Sequence, residues 1–228
     1  MKSIVLIPSA CVLLFFSCKK KEEIQNEHKL VNRPAVIRLP KSTNYTHFKK
    51  GTYWIYHHYK VENNGTETLL NHIQDSVFVS GIKTIGDTAY IVNKSIEPAT
   101  TVLPEEHLVE IDNVIYDNYG QAVFSVMSVG DTLSTINQQV NNKPDGIVSY
   151  RVMKDPGLTI SVPAGDFDVL EVETTSILNF DDHFKDTPAV FHKYYAKQVG
   201  VVMNTYFYLV QLGESHFERR LVRYHIEK

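Results

Sequence analysis

Apolar and polar residues alternate with a period of two through most of the chain beyond residue 47. That period predicts β-strands. The first clear stretch is 53–62. Tyr53, Ile55, Tyr59 and Val61 share one face with His57, while Trp54, Tyr56, His58, Lys60 and Glu62 share the other. Asn63-Asn64-Gly65 follows. Asn and Gly accept positive φ, so the chain should turn there and return over 69–79 as a hairpin. Further strands are expected over 89–96, 108–111, 114–119, 121–129, 148–154, 158–162, 167–177, 190–196, 201–212 and 217–226, with one more short strand opening at Gly130-Asp131-Thr132. Asp112-Asn113 reads as a two-residue hairpin turn, and 141–146 reads as a loop.

Many short strands with turn residues between them argue for one all-β, antiparallel domain. Several strands, 201–212 above all, are apolar on both faces and need covering twice. A curved, incompletely closed sheet, or a barrel-like one, is therefore expected. The 13 Tyr and 11 Phe, with recurrent Val, Ile and Thr, suit strands. The formal charge of −3 offers no basic face for nucleic acid. Both cysteines, Cys11 and Cys18, precede the strands. The domain so defined holds no disulfide, thiol nucleophile or cysteine-bound metal.

The first residues follow a different pattern. Lys2 precedes a short, mostly apolar run, 4–16, which ends at Ser17-Cys18 and meets Lys19-Lys20-Lys21-Glu22-Glu23. The run is shorter than the roughly 18–20 apolar residues that cross a bilayer. It is expected to act as an export signal. The segment resembles a bacterial lipoprotein signal, in which a small residue stands before a cysteine that is lipidated on sulfur. The resemblance implies cleavage after 1–17 and palmitate-type acylation of Cys18, although Phe15 and Phe16 stand where the strict pattern has Leu and a small residue. The lysine-acidic tract is similar to one found behind the lipidated cysteine of surface-exposed Bacteroidetes lipoproteins; the start of a solvated linker is the alternative. Residues 18–46, with Pro34 and Pro40 and no sustained period, read as a lipidated end and tether. Residues 47–228 then form the β domain.

A second resemblance covers nearly the whole domain. Gly51-Thr52-Tyr53-Trp54-Ile55-Tyr56 resembles a Gly-x-x-Trp-x-Tyr opening. Ile115-Tyr116-Asp117 followed by Val129-Gly130-Asp131-Thr132 resembles a Tyr-Asp then Gly-Asp-Thr pairing. Val162-Pro163-Ala164-Gly165-Asp166-Phe167, then Tyr194-Tyr195 and Val199-Gly200-Val201-Val202, resemble a paired ending. Uncharacterised β-rich Bacteroidetes lipoproteins share such patterns. They are turn and packing motifs, so the resemblance implies an envelope lipoprotein with a β fold and no particular reaction.

Candidate chemistry is sparse. His57 and His58 are adjacent on a strand and point apart, which disfavours a shared ion. Asp181, Asp182 and His183, with Asp186 and His192 nearby, could bind a divalent cation, or form an ordinary acidic loop. Glu105-Glu106-His107 is a lesser cluster. Glu171 and Glu173 share a face, as a carboxylate hydrolase would need, but the useful separation lies across a cleft. The chain has no Gly-x-Ser-x-Gly elbow, His-Glu-x-x-His or phosphate-binding glycine loop. Ser76, Thr88 and Thr132 follow Asp in a pattern resembling the Bacteroidetes O-glycosylation site; strand-start turn chemistry is the alternative.

The expected function is therefore that of a non-enzymatic envelope lipoprotein without cofactor. The lipid would hold it to the outer membrane, with the periplasmic and surface faces both open. Its curved sheet would bind an apolar or amphipathic ligand, or a partner protein. Trp54, Tyr56, Tyr194, Tyr195, Tyr206 and Tyr208 are the candidate binding residues, with plain core as the alternative. A structural or assembly component without a ligand, and a carboxylate hydrolase, are the rival readings.

Overall fold

A computed structural model describes residues 45–85, 88–96, 105–155, 157–180, 188–206 and 215–228. Within them the chain forms β1 (Tyr53–Glu62), β2 (Glu67–Ile85), β3 (Thr88–Ile96), β4 (Glu106–Ile111), β5 (Val114–Asp117), β6 (Ala122–Ser125), β7 (Thr132–Val140), β8 (Lys143–Lys154), β9 (Thr159–Val162), β10 (Gly165–Leu178), β11 (Ala189–Ala196), β12 (Gly200–Tyr206) and β13 (Ser215–His225). The described residues contain no helix.

Turn chemistry sets many of the boundaries. Asp112 and Asn113 carry φ of 53° and 65°, the positive pair that a type I′ hairpin needs, and they join β4 to β5. Asn141 and Asn142 do the same at 51° and 64° between β7 and β8. The expected loop over 141–146 is thus only a two-residue turn, and Lys143 to Gly146 belong to β8. Pro144 is tolerated because the pairing slips between Gln138 and Val140, at an irregularity where a missing N–H costs no ladder bond. Gly146 is required there: a Cβ would lie 2.7 Å from the Val140 side chain.

β2 and β6 also depart from their expected lengths. β2 runs past Val79 to Ile85 because a register shift between Val79 and Gly81 absorbs the break in alternation. β6 stops at Ser125, not residue 129. The Ser125 hydroxyl there accepts from the Met127 N–H at 3.2 Å and turns the chain away.

Every strand pair is antiparallel, and the order is β6-β5-β4-β3-β2-β1-β13-β12-β11-β10-β8-β7. The first and last strands pair in the middle of this path, so the sheet curls into a barrel that is nearly closed. One seam stays unsealed, between β6 and β7 at the ends of the path. Side chains bridge it: Ser134 Oγ donates to Ala122 O at 3.0 Å and Arg151 Nη1 to the same oxygen at 3.3 Å. The β9–β10 hairpin leaves the main ladder and lies against β13, where Ala164 N donates to Leu221 O at 3.0 Å.

The core includes Trp54, Tyr56, Leu108, Ile115, Phe124, Met153, Val172, Tyr195, Val202 and Leu221. Polar groups share this side of the sheet. Cross-strand partners project from the same face. The register runs Met153–Val172–Lys193–Asn204–Arg219–His58 across β8, β10, β11, β12, β13 and β1. Met153 and Val172 are buried, so this row is the inner face, and it carries Lys193 and Arg219 into the barrel.

Candidate functional site

At the centre of the inner face lies a buried ionic cluster. Asp75, on β2, is 2% exposed. Its Oδ1 accepts from Arg219 Nε at 3.1 Å and from His58 Nε2 at 3.0 Å, and its Oδ2 accepts from Arg219 Nη2. Burial pushes the Asp75 carboxyl up, but the His58 hydrogen bond and the Arg219 charge outweigh it and hold the group below the usual carboxylate range. Asp75 has no proton to give when ionised, so His58 Nε2 donates to it. Tyr206 sits 2.6 Å from the other ring nitrogen, Nδ1. The Arg219 guanidinium also stacks on the Tyr56 ring, 3.7 Å from its centroid.

A cavity of about 250 Å³ adjoins this cluster. Trp54, Tyr56, Leu108, Ile115, Phe124 and Tyr195 give it an apolar, aromatic wall, and Lys193, Glu106 and Arg219 add charge. The aromatic groups are held by their polar ends. Trp54 Nε1 donates to Val199 O at 2.6 Å, and Tyr56 OH donates to Val201 O at 2.9 Å. Gly200 makes room for the indole: it has φ of +101°, and a Cβ would sit 3.4 Å from Trp54 Nε1.

A second chamber of about 240 Å³ shares Val123, Lys193 and Tyr195 with the first. Its other lining includes Arg151, Thr174, Phe191 and Asn204. The Lys193 side chain keeps 38% of its surface accessible, although the register turns it inward. The chambers supply that access. Tyr195 and Glu106 hold its ammonium above the ordinary lysine range against the opposing cost of burial. Burial pushes the Tyr195 phenol up, with Lys193 opposing. Two buried atoms on these walls have no hydrogen-bond partner: His47 Nε2 in the first chamber and Asn204 Oδ1 in the second. Burial holds His47 below the usual histidine range.

The chain matches no protein-family model and no curated protein. It is similar to two solved structures. One, described as exported and of YmcC-like fold, is from Bacteroides fragilis: TM-score 0.47, 14% identity, 79% of this chain and 98% of the other covered. The second, described as a lipoprotein, is from Parabacteroides distasonis: TM-score 0.44, 15% identity, 81% and 100% covered.

Three of the aromatic candidates, Trp54, Tyr56 and Tyr195, do line the first chamber. Tyr206 instead braces His58 and stacks on Phe217. Tyr194 projects from the other face of β11, stacked on His192, and burial with nearby Glu171 pushes its phenol up to about 12. Tyr208, Cys18 and the Asp181-Asp182-His183 cluster lie outside the described residues.

Glu171 and Glu173 share the Tyr194 side, away from Lys193, and do not oppose each other across the chambers. Their oxygens and a His192 nitrogen lie within 4.8 Å of one another. Glu171 accepts from His192 Nδ1 at 2.5 Å and Glu173 from Lys154 Nζ at 2.5 Å, so each carboxylate already has a local partner. Ser76 and Thr132 stand in β2 and at the start of β7, and Thr88 begins β3. The period of two already placed Lys193 and Arg219 on single faces of their strands, but nothing in the sequence said that those faces turn inward.

Proposed function

We propose that the protein is an envelope lipoprotein, anchored through Cys18, whose barrel holds a small amphipathic ligand without chemically changing it. The observation that carries this reading is the first chamber. An open pocket of about 250 Å³ lies among aromatic side chains fixed by hydrogen bonds, with charged groups in the same wall and an unpartnered His47 nitrogen. An apolar pocket with a few convergent polar groups is the usual form of a small-molecule site, and such pockets measure about 300–1,000 Å³. The volume here sits just below that range, which favours a small amphiphile over a two-chain lipid.

The test is native mass spectrometry of the full chain purified from its own envelope. A reproducible small-molecule adduct, lost when Tyr195→Trp fills the chamber, is the expected result. An adduct-free mass, together with no response of Trp54 fluorescence to a panel of short amphiphiles, would overturn the reading and leave a structural or assembly role. The same spectrum tests acylation at Cys18 through the added mass.

A further inference from the structure

The two chambers differ in chemistry, and the difference specifies one end of the ligand. This inference rests on the ligand-binding reading above. Apart from the shared Val123, Lys193 and Tyr195, the first chamber has mostly aromatic and aliphatic walls. The second is lined by Arg151, Lys193 and the polar side chains of Thr174 and Asn204, with His192 and Thr205 also bordering it, and by no carboxylate. A wall with two cations and no acidic residue is unexpected in a chain whose net charge is −3.

The carboxylates paired with these two cations stand off from them. Glu106 Oε1 lies 3.8 Å from Lys193 Nζ, and Asp117 Oδ2 lies 3.9 Å from Arg151 Nη1. Both distances exceed hydrogen-bond length, whereas charge-assisted bonds close to about 2.7–2.9 Å. Neither Glu106 nor Asp117 forms part of the second chamber's wall. Arg151 Nη1 also donates to Ala122 O at 3.3 Å, which fixes the guanidinium at the seam without neutralising it. Arg219, by contrast, is bound by Asp75 through two nitrogens and is not available in the same way.

Asn204 supplies an independent sign of a missing partner. Its Oδ1 is buried and unbonded at the wall of this chamber. A half-turn of the amide would present Nδ2, a donor, at the same point. The cross-strand pairing sets Asn204 directly beside Lys193, so an ammonium and an amide converge from adjacent strands. Thr174, on β10, stands opposite Arg151 and adds a hydroxyl to the same wall.

We propose that the second chamber is an anion subsite, in which Lys193 and Arg151 receive the phosphate, sulfate or carboxylate head of an amphiphile whose apolar body occupies the first chamber. Lys193 and Tyr195 belong to both walls, so the head and body of one molecule meet there. The head displaces no protein group: Glu106 and Asp117 remain behind the cations, and the anion takes the donors that point into the chamber. Binding is electrostatic at one end and apolar at the other.

The chain's single tryptophan, Trp54, stands in the wall of the first chamber and reports its occupancy. The experiment titrates the full chain, in non-ionic micelles, with hexyl phosphate, hexanol and inorganic phosphate. The unmodified protein is expected to bind hexyl phosphate at least ten-fold more tightly than hexanol, and rising salt should weaken hexyl phosphate only. Arg151→Gln, which touches only the second chamber, should cost hexyl phosphate about ten-fold and leave hexanol unchanged, which also shows that the variant is folded; Lys193→Gln should cost hexyl phosphate about ten-fold more than it costs hexanol, and Lys193→Arg should restore most of that loss. Equal affinity for hexyl phosphate and hexanol would overturn the anion subsite and leave the apolar site standing. Loss of response to all three probes would overturn both readings. Inorganic phosphate, measured by its competition with hexyl phosphate, separates the sources: if it binds as tightly as hexyl phosphate, the amphiphile is refuted and the subsite serves a free anion.

Discussion

Replacing Asp75 by Asn should be among the most damaging single changes in the barrel. The substitution keeps the shape of the side chain and removes its charge. The carboxylate now accepts three bonds, two from Arg219 and one from His58. An amide keeps one acceptor oxygen and sets an N–H₂ donor against a donor nitrogen. The larger loss is electrostatic. Arg219 is held inside the sheet with Asp75 as its hydrogen-bonded counter-ion and the Tyr56 ring beneath it. Removing one member of a buried ion pair costs about 3–5 kcal/mol because the survivor stays desolvated. A domain of this kind is stable by about 5–15 kcal/mol, so about a fifth or more of the total is at stake. Urea unfolding followed by Trp54 emission measures it. With a slope near 2.5 kcal/mol per molar, the midpoint should fall by about 1–2 M. A fall below about 0.5 M, with the slope unchanged, would refute the argument, since it would mean that water reaches Arg219 freely. The double variant Asp75→Asn, Arg219→Gln should recover part of the loss, because both charges then leave the interior together.

Three further outcomes follow from the same geometry. Asp75 has a lowered folded-state pKa, so its stabilisation is complete above the unfolded value of about 3.9 and is lost as pH falls through the folded value; the midpoint gap between the native protein and Asp75→Asn should be flat from pH 8 to 5 and narrow below about pH 4. Gly200→Ala must adopt a φ of +101° and crowd the Trp54 indole, which should cost about 1–3 kcal/mol and shift the tryptophan emission; an unshifted spectrum and midpoint would refute it. Ser134→Ala removes a side-chain bond across the seam and should lower stability by about 1 kcal/mol, with faster amide exchange confined to β6 and β7.

The sequence by itself determined the all-β class, most strand positions and the tightest turns. Those features are local: a period of two depends on the chain's own pleat, and Asp112-Asn113 turns because of its own backbone preferences. It also determined that Trp54, Tyr56 and His58 share a face, since 53–62 was read with its observed bounds. Where turn-forming residues lie inside a strand, a neighbour decides the matter. Pro144 and Gly146 stay in β8 because β7 beside them slips register and passes close. Tertiary structure alone decided which face was inside. Alternation says which residues share a side, but both sides of β11 and β13 mix charged and apolar groups. Lys193 and Arg219 were therefore as plausible outside as in. The choice was made by partners far along the chain: Asp75, 144 positions from Arg219, neutralises it, and the curl of the sheet brings Glu106 towards Lys193. The cost of burying a charge depends on what is brought beside it, and only the closed order of strands brings those groups together.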